Sequence, residues 1–212
     1  VYLHYVLDLW FEKCIKKQLY GEAYLVRFAD DFLIMFQYER DAQRVYEAII
    51  RRMELFGLEL SKEKTRILPF GRYSVSRETF DFLGFTHFNS KTRKGYYSVG
   101  HKISRKKKKQ FKSNLKKWVK ENRNTQFDEF MKTLNKKLTG SFNYYSLSGM
   151  IKEVRNLWIH SLYVTFKWLN RRSQRRSFKL ERFYGIWNDR IIRPYIHVDI
   201  WSGDKVIYNK NV

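Results

Sequence analysis

The chain has 212 residues, with 43 Lys+Arg against 21 Asp+Glu for a formal charge of +22, and it is 43% apolar and 18% aromatic. That apolar content supplies a real core and excludes wholesale disorder, and the length suits one large domain or two modest ones. A lone Cys14 excludes a disulfide framework, and Cys14 with the scattered His4, His87, His101, His160 and His197 gives no zinc-type ligand spacing.

The longest mostly apolar stretch, 157–169, contains His160 and Lys167 and is too short and too polar to span a bilayer. No secretory pattern opens the chain. These features fit a reducing, cytoplasmic compartment and no membrane partner. The chain opens inside what reads as a structured element, so a fragment of a longer protein is expected.

The charge is uneven. Residues 1–100 carry a net +3 and residues 101–212 a net +19. The shift suggests a boundary near Gly100, between a near-neutral unit and a strongly basic one. Such a basic surface attracts polyanions, in a salt-sensitive way because counterions are displaced.

Residues 1–19 read as a helix, with Tyr2, Val6, Leu9 and Trp10 at helical spacing. After Gly21, two short apolar runs, Tyr24–Phe28 and Phe32–Phe36, flank Ala29-Asp30-Asp31. The natural reading is two strands joined by a tight acidic turn. A helix follows from about Asp41, in the N-cap region, to Phe56, with Gly57 at C′. Short strands are expected near Leu58–Leu60 and Thr65–Leu68. Thr79–His87 and Tyr96–Val99 then read as a hairpin around a polar turn. This order predicts an antiparallel sheet with helices on one face.

The second half reads as all helix. Ser104 caps a helix to about Asn122 that carries Phe111, Leu115, Trp118 and Val119 on one face. Further helices are expected from Phe127 and from Ser148 to Leu169, making a small bundle. Arg171 to Arg193 is basic and aromatic with room for one more short helix, and the last residues form a polar tail.

Asp30 and Asp31 are the sharpest chemical feature. An acidic pair between strands is either an ordinary Asp-rich turn or a site for a hard divalent cation such as Mg²⁺, which takes one or two carboxylates plus water and phosphate oxygens. Context favours the second reading. Phe28-Ala29-Asp30-Asp31 between its apolar runs resembles the Tyr/Phe-Ala-Asp-Asp hairpin of the reverse transcriptase palm. Downstream, Leu60-Ser61-Lys62-Glu63-Lys64-Thr65 resembles the palm segment after the helix, and Phe80-Asp81-Phe82-Leu83-Gly84-Phe85 resembles the primer-grip strand. Gly140-Ser141-Phe142-Asn143-Tyr144-Tyr145 and Trp168-Leu169-Asn170-Arg171-Arg172-Ser173 resemble thumb segments of group II intron proteins, where the thumb is also the maturase domain.

The resemblance implies an α+β fold. Residues 1–100 would be the C-terminal part of the palm, 101–194 an all-α basic thumb and 195–212 a tail. It implies an RNA-directed DNA polymerase of group II intron type, bacterial or organellar. Its substrate would be an RNA template–DNA primer duplex, its cofactor Mg²⁺ or Mn²⁺, and structured intron RNA a further partner. Asp30 would be the main metal ligand, with Asp31 assisting. Lys64 would lie near the incoming triphosphate, or is a plain solvated lysine. Phe82, Leu83, Gly84 and Phe85 would form the primer grip, with Gly84 admitting the primer backbone. Lys106, Lys107, Lys108, Lys109, Lys112, Lys116, Arg171, Arg172, Arg175 and Arg176 would contact phosphates. Tyr144, Tyr145 and Trp168 would either stack on bases or belong to the core. The alternative function is an RNA-binding, maturase-type module that assists splicing without polymerase chemistry.

Departures from the family pattern are also legible. The palm's other catalytic Asp, the Pro-Gln-Gly segment after it and the fingers are not in these residues, and no Cys- or His-rich endonuclease domain follows. The fragment alone is expected to have little or no polymerase activity. Its partner would be the N-terminal fingers and palm of the same protein.

Overall fold

The computed structural model describes residues 1–61, 63–172, 177–196 and 198. The chain forms two units, one of Val1–Leu83 with His87–Gly100 and one of Gly84–Thr86 with His101–Val212. The fold is α+β: antiparallel strands with helices, then a helical region.

In the first unit the opening helix has wide turns. His4–Leu9 and Phe11–Ile15 are π-helical, and Lys16–Gln18 is a 3₁₀ turn. Leu3, Leu7, Phe11, Ile15 and Leu19 recur every four residues, and all five join the core of this unit. The buried stripe therefore differs from the expected one: Val6 is buried, but Tyr2 is 54% exposed.

Strands β1 (Ala23–Phe28) and β2 (Asp31–Phe36) pair antiparallel, in register from Ala23↔Phe36 to Phe28↔Asp31. Strand alternation gives the ribbon two faces. Ala23, Leu25, Phe32, Ile34 and Phe36 face the core with the opening helix and with Val45, Ile49 and Met53 of helix α1 (Glu39–Leu55). Tyr24, Val26, Phe28 and Met35 lie on the outer face and are exposed.

Helix α1 starts two residues before the expected cap, after Tyr38. Asp41 is instead a buried tie inside the first turn. Its Oδ2 accepts the backbone N–H groups of Tyr20 (3.0 Å) and Gly21 (3.1 Å), so it fixes the entry to β1. Gly57 ends the helix at φ +67°, as a C′ glycine should. The strands expected near 58–60 and 65–68 are absent among the described residues. Leu58 and Leu60 reach the core from irregular chain, and the Lys64 and Thr65 amides turn back onto the Ser61 carbonyl.

A second sheet has the order β3 (Thr79–Phe82), β4 (Phe85–Lys91), β5 (Tyr97–Ile103). The single strand expected over 79–87 is broken at Leu83-Gly84, where both residues have positive φ (51° and 82°) and make a two-residue turn.

The second unit is a bundle of α2 (Arg105–Asn122), α3 (Phe127–Tyr145), α4 (Ile151–Leu169) and α5 (Leu180–Arg190). Ser104 caps α2 as its sequence predicts, its hydroxyl accepting from the Lys107 N–H. Leu115, Val119, Phe130, Leu134, Leu138, Leu157, Leu162, Phe183 and Trp187 fill the core. Full burial of each such side chain contributes about 2 kcal/mol. No helix among the described residues is long and apolar enough to cross a membrane.

The Asp41 tie is testable. Asp41→Ala removes an acceptor shared by two backbone N–H groups and should cost about 2 kcal/mol. The expected readout is faster amide exchange at Tyr20 and Gly21 and a lower urea midpoint. An unchanged exchange pattern would show that the tie does not hold this segment.

Candidate functional site

The acidic turn is built by the ribbon. Phe28 and Asp31 close it as the last paired residues, leaving Ala29 and Asp30 as a two-residue loop. Ala29 takes φ 53°, a left-handed conformation that costs an L-residue about 1 kcal/mol. Strain of this kind persists where the surroundings impose it, and it collects at working sites. Asp30 and Asp31 are both exposed, so their carboxylates project into solvent at the hairpin tip. Asp31 lies on the outer face, beside Phe28 and Val26, and Asp30 stands in the turn itself.

What imposes the turn is a charge network that the sequence reading did not include. Arg27 lies on the inner, core-facing side of β1. Its Nε and Nη2 donate to the two carboxylate oxygens of Asp8 at 2.6 and 2.5 Å, and its Nη1 donates to the Ala29 carbonyl at 2.8 Å. Asp8 also meets His4 Nδ1 at 3.2 Å. The fork-to-fork pair is the strong, directional form of an ion pair. It holds the Asp8 carboxyl below its ordinary range, chiefly through the Arg27 hydrogen bonds and against the opposing effect of burial. It raises Arg27 in turn, with the Asp30 charge adding a smaller share. The signal was available in the sequence: alternation places Arg27 on the same face as Ala23 and Leu25, where a bare cation needs an acid.

An independent observation bears on this segment. Residues 1–87 match the family model for reverse transcriptase (RNA-dependent DNA polymerase). The match spans the ribbon, the acidic turn, α1 and the strand leading into the Leu83-Gly84 turn. No curated protein matches the chain. This segment is thus similar to a reverse transcriptase domain.

For a divalent ion the donors at the tip are of the right kind: hard carboxylate oxygens on adjacent residues, exposed and adjustable. Among the described residues no group of three or more His, Cys, Asp or Glu gathers to hold a metal. Lys64 is exposed in the turn that follows Ser61.

The grip residues divide. Phe82 and Leu83 fall in the first unit, Gly84 and Phe85 in the second. Phe85 belongs to the bundle core and stacks on Tyr144 at 5.5 Å, with Tyr145 edge-on at 5.4 Å. The need for glycine at 84 has a local cause. A Cβ there would lie 3.2 Å from the Tyr145 hydroxyl and 3.4 Å from Lys107 Cγ, at a φ of +82°. Tyr145 and the Lys107 stem thus occupy the approach that the sequence reading assigned to the primer backbone. Burial also pushes the Tyr145 hydroxyl above its usual range, as for a structural tyrosine.

The basic residues of α2 do not share one face. Lys108 pairs with Glu153 at 2.9 Å, while the other Glu153 oxygen accepts the Ile103 N–H at 2.8 Å. Glu153 is a second tie that the sequence reading missed. Arg105, Lys109, Lys112, Lys116 and Lys120, all exposed, follow i, i+4, i+7, i+11 and i+15 and form one stripe about 22 Å long. Lys106 and Lys107 are also exposed but lie off this stripe, Lys107 on the opposite face. Burial, with the Lys112 charge, holds His160 below its usual range. Arg172 is engaged on backbone, donating to the carbonyls of Leu169 and Arg123. Arg171 is exposed, and Arg175 and Arg176 lie outside the described residues.

Gly84→Ala tests the packed turn. The Cβ meets Tyr145 and a strained φ together, so the variant should lose about 1–2 kcal/mol. Thermal melts should show this, with partial recovery in Gly84→Ala/Tyr145→Phe, which removes the opposing hydroxyl. A fully stable Gly84→Ala would contradict the packing.

Proposed function

We propose that this chain is the palm-to-thumb part of an RNA-directed DNA polymerase of the group II intron type. In this reading residues 1–100 belong to the palm, 101–194 to the thumb and 195–212 to a tail. The observation that carries it is the strained, Arg27-braced turn bearing Asp30 and Asp31 inside a segment that matches the reverse transcriptase family.

Asp30 and Asp31 would hold Mg²⁺, with a further carboxylate from elsewhere in the palm. The ion, when bound, supplies charge stabilisation at the attacking and leaving oxygens of nucleotidyl transfer. The chain's own groups do the positioning. Asp8 and Arg27 set the turn, and the left-handed Ala29 lets two consecutive carboxylates project from its tip. Lys64 is a candidate for balancing the charge of the leaving pyrophosphate. The stripe on α2 would grip the phosphates of a template–primer duplex by shape more than by sequence.

A maturase-type RNA-binding module without polymerase chemistry is the second reading. It is favoured by the concentration of charge in residues 101–212, net +19 against +3 in residues 1–100. Primer extension on an RNA template with Mg²⁺, by the protein with its complete palm and fingers, separates the two. The polymerase reading expects extension in wild type and a loss of at least about 100-fold in Asp30→Ala, on the scale of removing a group that stabilises the transition state. Duplex binding should be retained in that variant. Tight, salt-sensitive RNA binding with no extension by wild type would instead support the maturase-type module.

A further inference from the structure

The C-terminal ends of α2 and α4 carry an arrangement that the α2 stripe does not account for. Trp168, in the last turn of α4, is approached by three cations from three places in the sequence. Arg171 lies 5.4 Å from its ring centre, Arg123 5.5 Å and Lys120 5.8 Å. Arg172 ties the two helix ends together through the Leu169 and Arg123 carbonyls. Asn170 closes the C-terminus of α4 with a reciprocal pair of hydrogen bonds to the Phe178 backbone.

Two ordinary effects fall short of explaining this cluster. Cations gather at helix C-termini to offset the macrodipole, and each such end is worth roughly half a negative charge. Two ends supply roughly one negative charge against Lys120, Arg123, Arg171 and Arg172, so most of the positive charge is left over. A cation also gains from an aromatic face, by about 0.5–1 kcal/mol where it is exposed. That gain is small for bringing like charges together. No carboxylate among the described residues forms an ion pair with Lys120, Arg123 or Arg171.

We infer that Lys120, Arg123 and Arg171, gathered on the Trp168 ring, form a binding site for the backbone phosphates of a nucleic acid. This site rests on the nucleic-acid reading of the second unit and adds to it a location and a role for Trp168. The indole organises the cations and is not itself a base-stacking platform, because the cations already lie against its ring. The site continues the α2 stripe, of which Lys120 is the last member, so a strand following that stripe ends on the cage. Arginine forks suit phosphate oxygens, and cations already gathered lose less freedom on binding.

The test uses this chain and a fluorescein-labelled single-stranded RNA, with affinity measured by anisotropy across a salt series. Arg123→Gln/Arg171→Gln should weaken binding at least ten-fold and flatten the slope of log affinity against log salt by about 1.4, for two lost phosphate contacts. Lys13→Gln/Lys17→Gln, which removes the same charge from the first unit, should do much less. Trp168→Leu removes no charge, yet should weaken binding several-fold and flatten the slope. Circular dichroism identifies any variant that fails to fold, and the arginine pair tests the site without altering Trp168.

Equal effects from the two double variants would overturn the site while leaving nucleic-acid binding intact. A Trp168→Leu variant that binds like wild type would overturn the organising role. One that loses affinity at an unchanged slope would assign the ring to a base and overturn the phosphate assignment. A wild-type chain with no salt-sensitive RNA binding would overturn the reading of the whole unit, and this site with it.

Discussion

A two-residue turn carrying adjacent carboxylates is electrostatically unfavourable and conformationally weak, and here one guanidinium manages both problems. Arg27 donates to the Ala29 carbonyl and so fixes the strained residue that aims Asp30. Left alone, an arginine this close would capture Asp30 and cancel its charge. Asp8 prevents that by taking two of the guanidinium's donors in a paired geometry. The acid that keeps the acidic turn available therefore comes from the opening helix. That helix has wide turns and buries Leu7 and Phe11 in the core of its unit.

The two units manage charge in different ways. In the first, carboxylates and arginines are matched, as in Asp8 with Arg27, and the acidic tip stands apart as an unneutralised feature. In the second, cations far outnumber acids, and two of the acids act as structural ties. Glu153 joins the end of β5 and the start of α2 to α4 through Ile103 and Lys108, and Asp128 pairs with Arg190. The remaining positive charge on α2 and around Trp168 faces solvent. In the proposed reading, the acidic tip would serve a metal ion and the basic surface the phosphates of a nucleic acid.

Much of this was legible from the sequence because local rules sufficed. Alternation around Ala29-Asp30-Asp31 gave the ribbon, three- and four-residue spacing gave α1 through α4, and Ser104 and Gly57 marked helix ends. Other features depended on contacts distant in sequence. Leu83 has no intrinsic preference for a left-handed turn, so the break in the strand over 79–87 was hidden behind an apolar run. Asp41 sits where an N-cap would, yet serves Tyr20 and Gly21 some twenty residues earlier. The Lys106–Lys109 run reads as one basic patch, but a helix points four consecutive side chains in different directions. Trp168 read as core or stacking platform, and its companions Lys120 and Arg123 come from another helix. Tertiary context, which no local pattern carries, decides each of these cases.

The most direct test of the account is where a divalent ion binds. Manganese added to isotope-labelled protein broadens the amide signals nearest the ion. The account predicts broadening centred on Ala29 to Phe32, abolished by Asp30→Ala and weakened by Asp8→Ala, which frees Arg27 to neutralise the turn. Broadening centred on other acidic residues, or unchanged by Asp30→Ala, would show that the hairpin tip is an ordinary acidic turn.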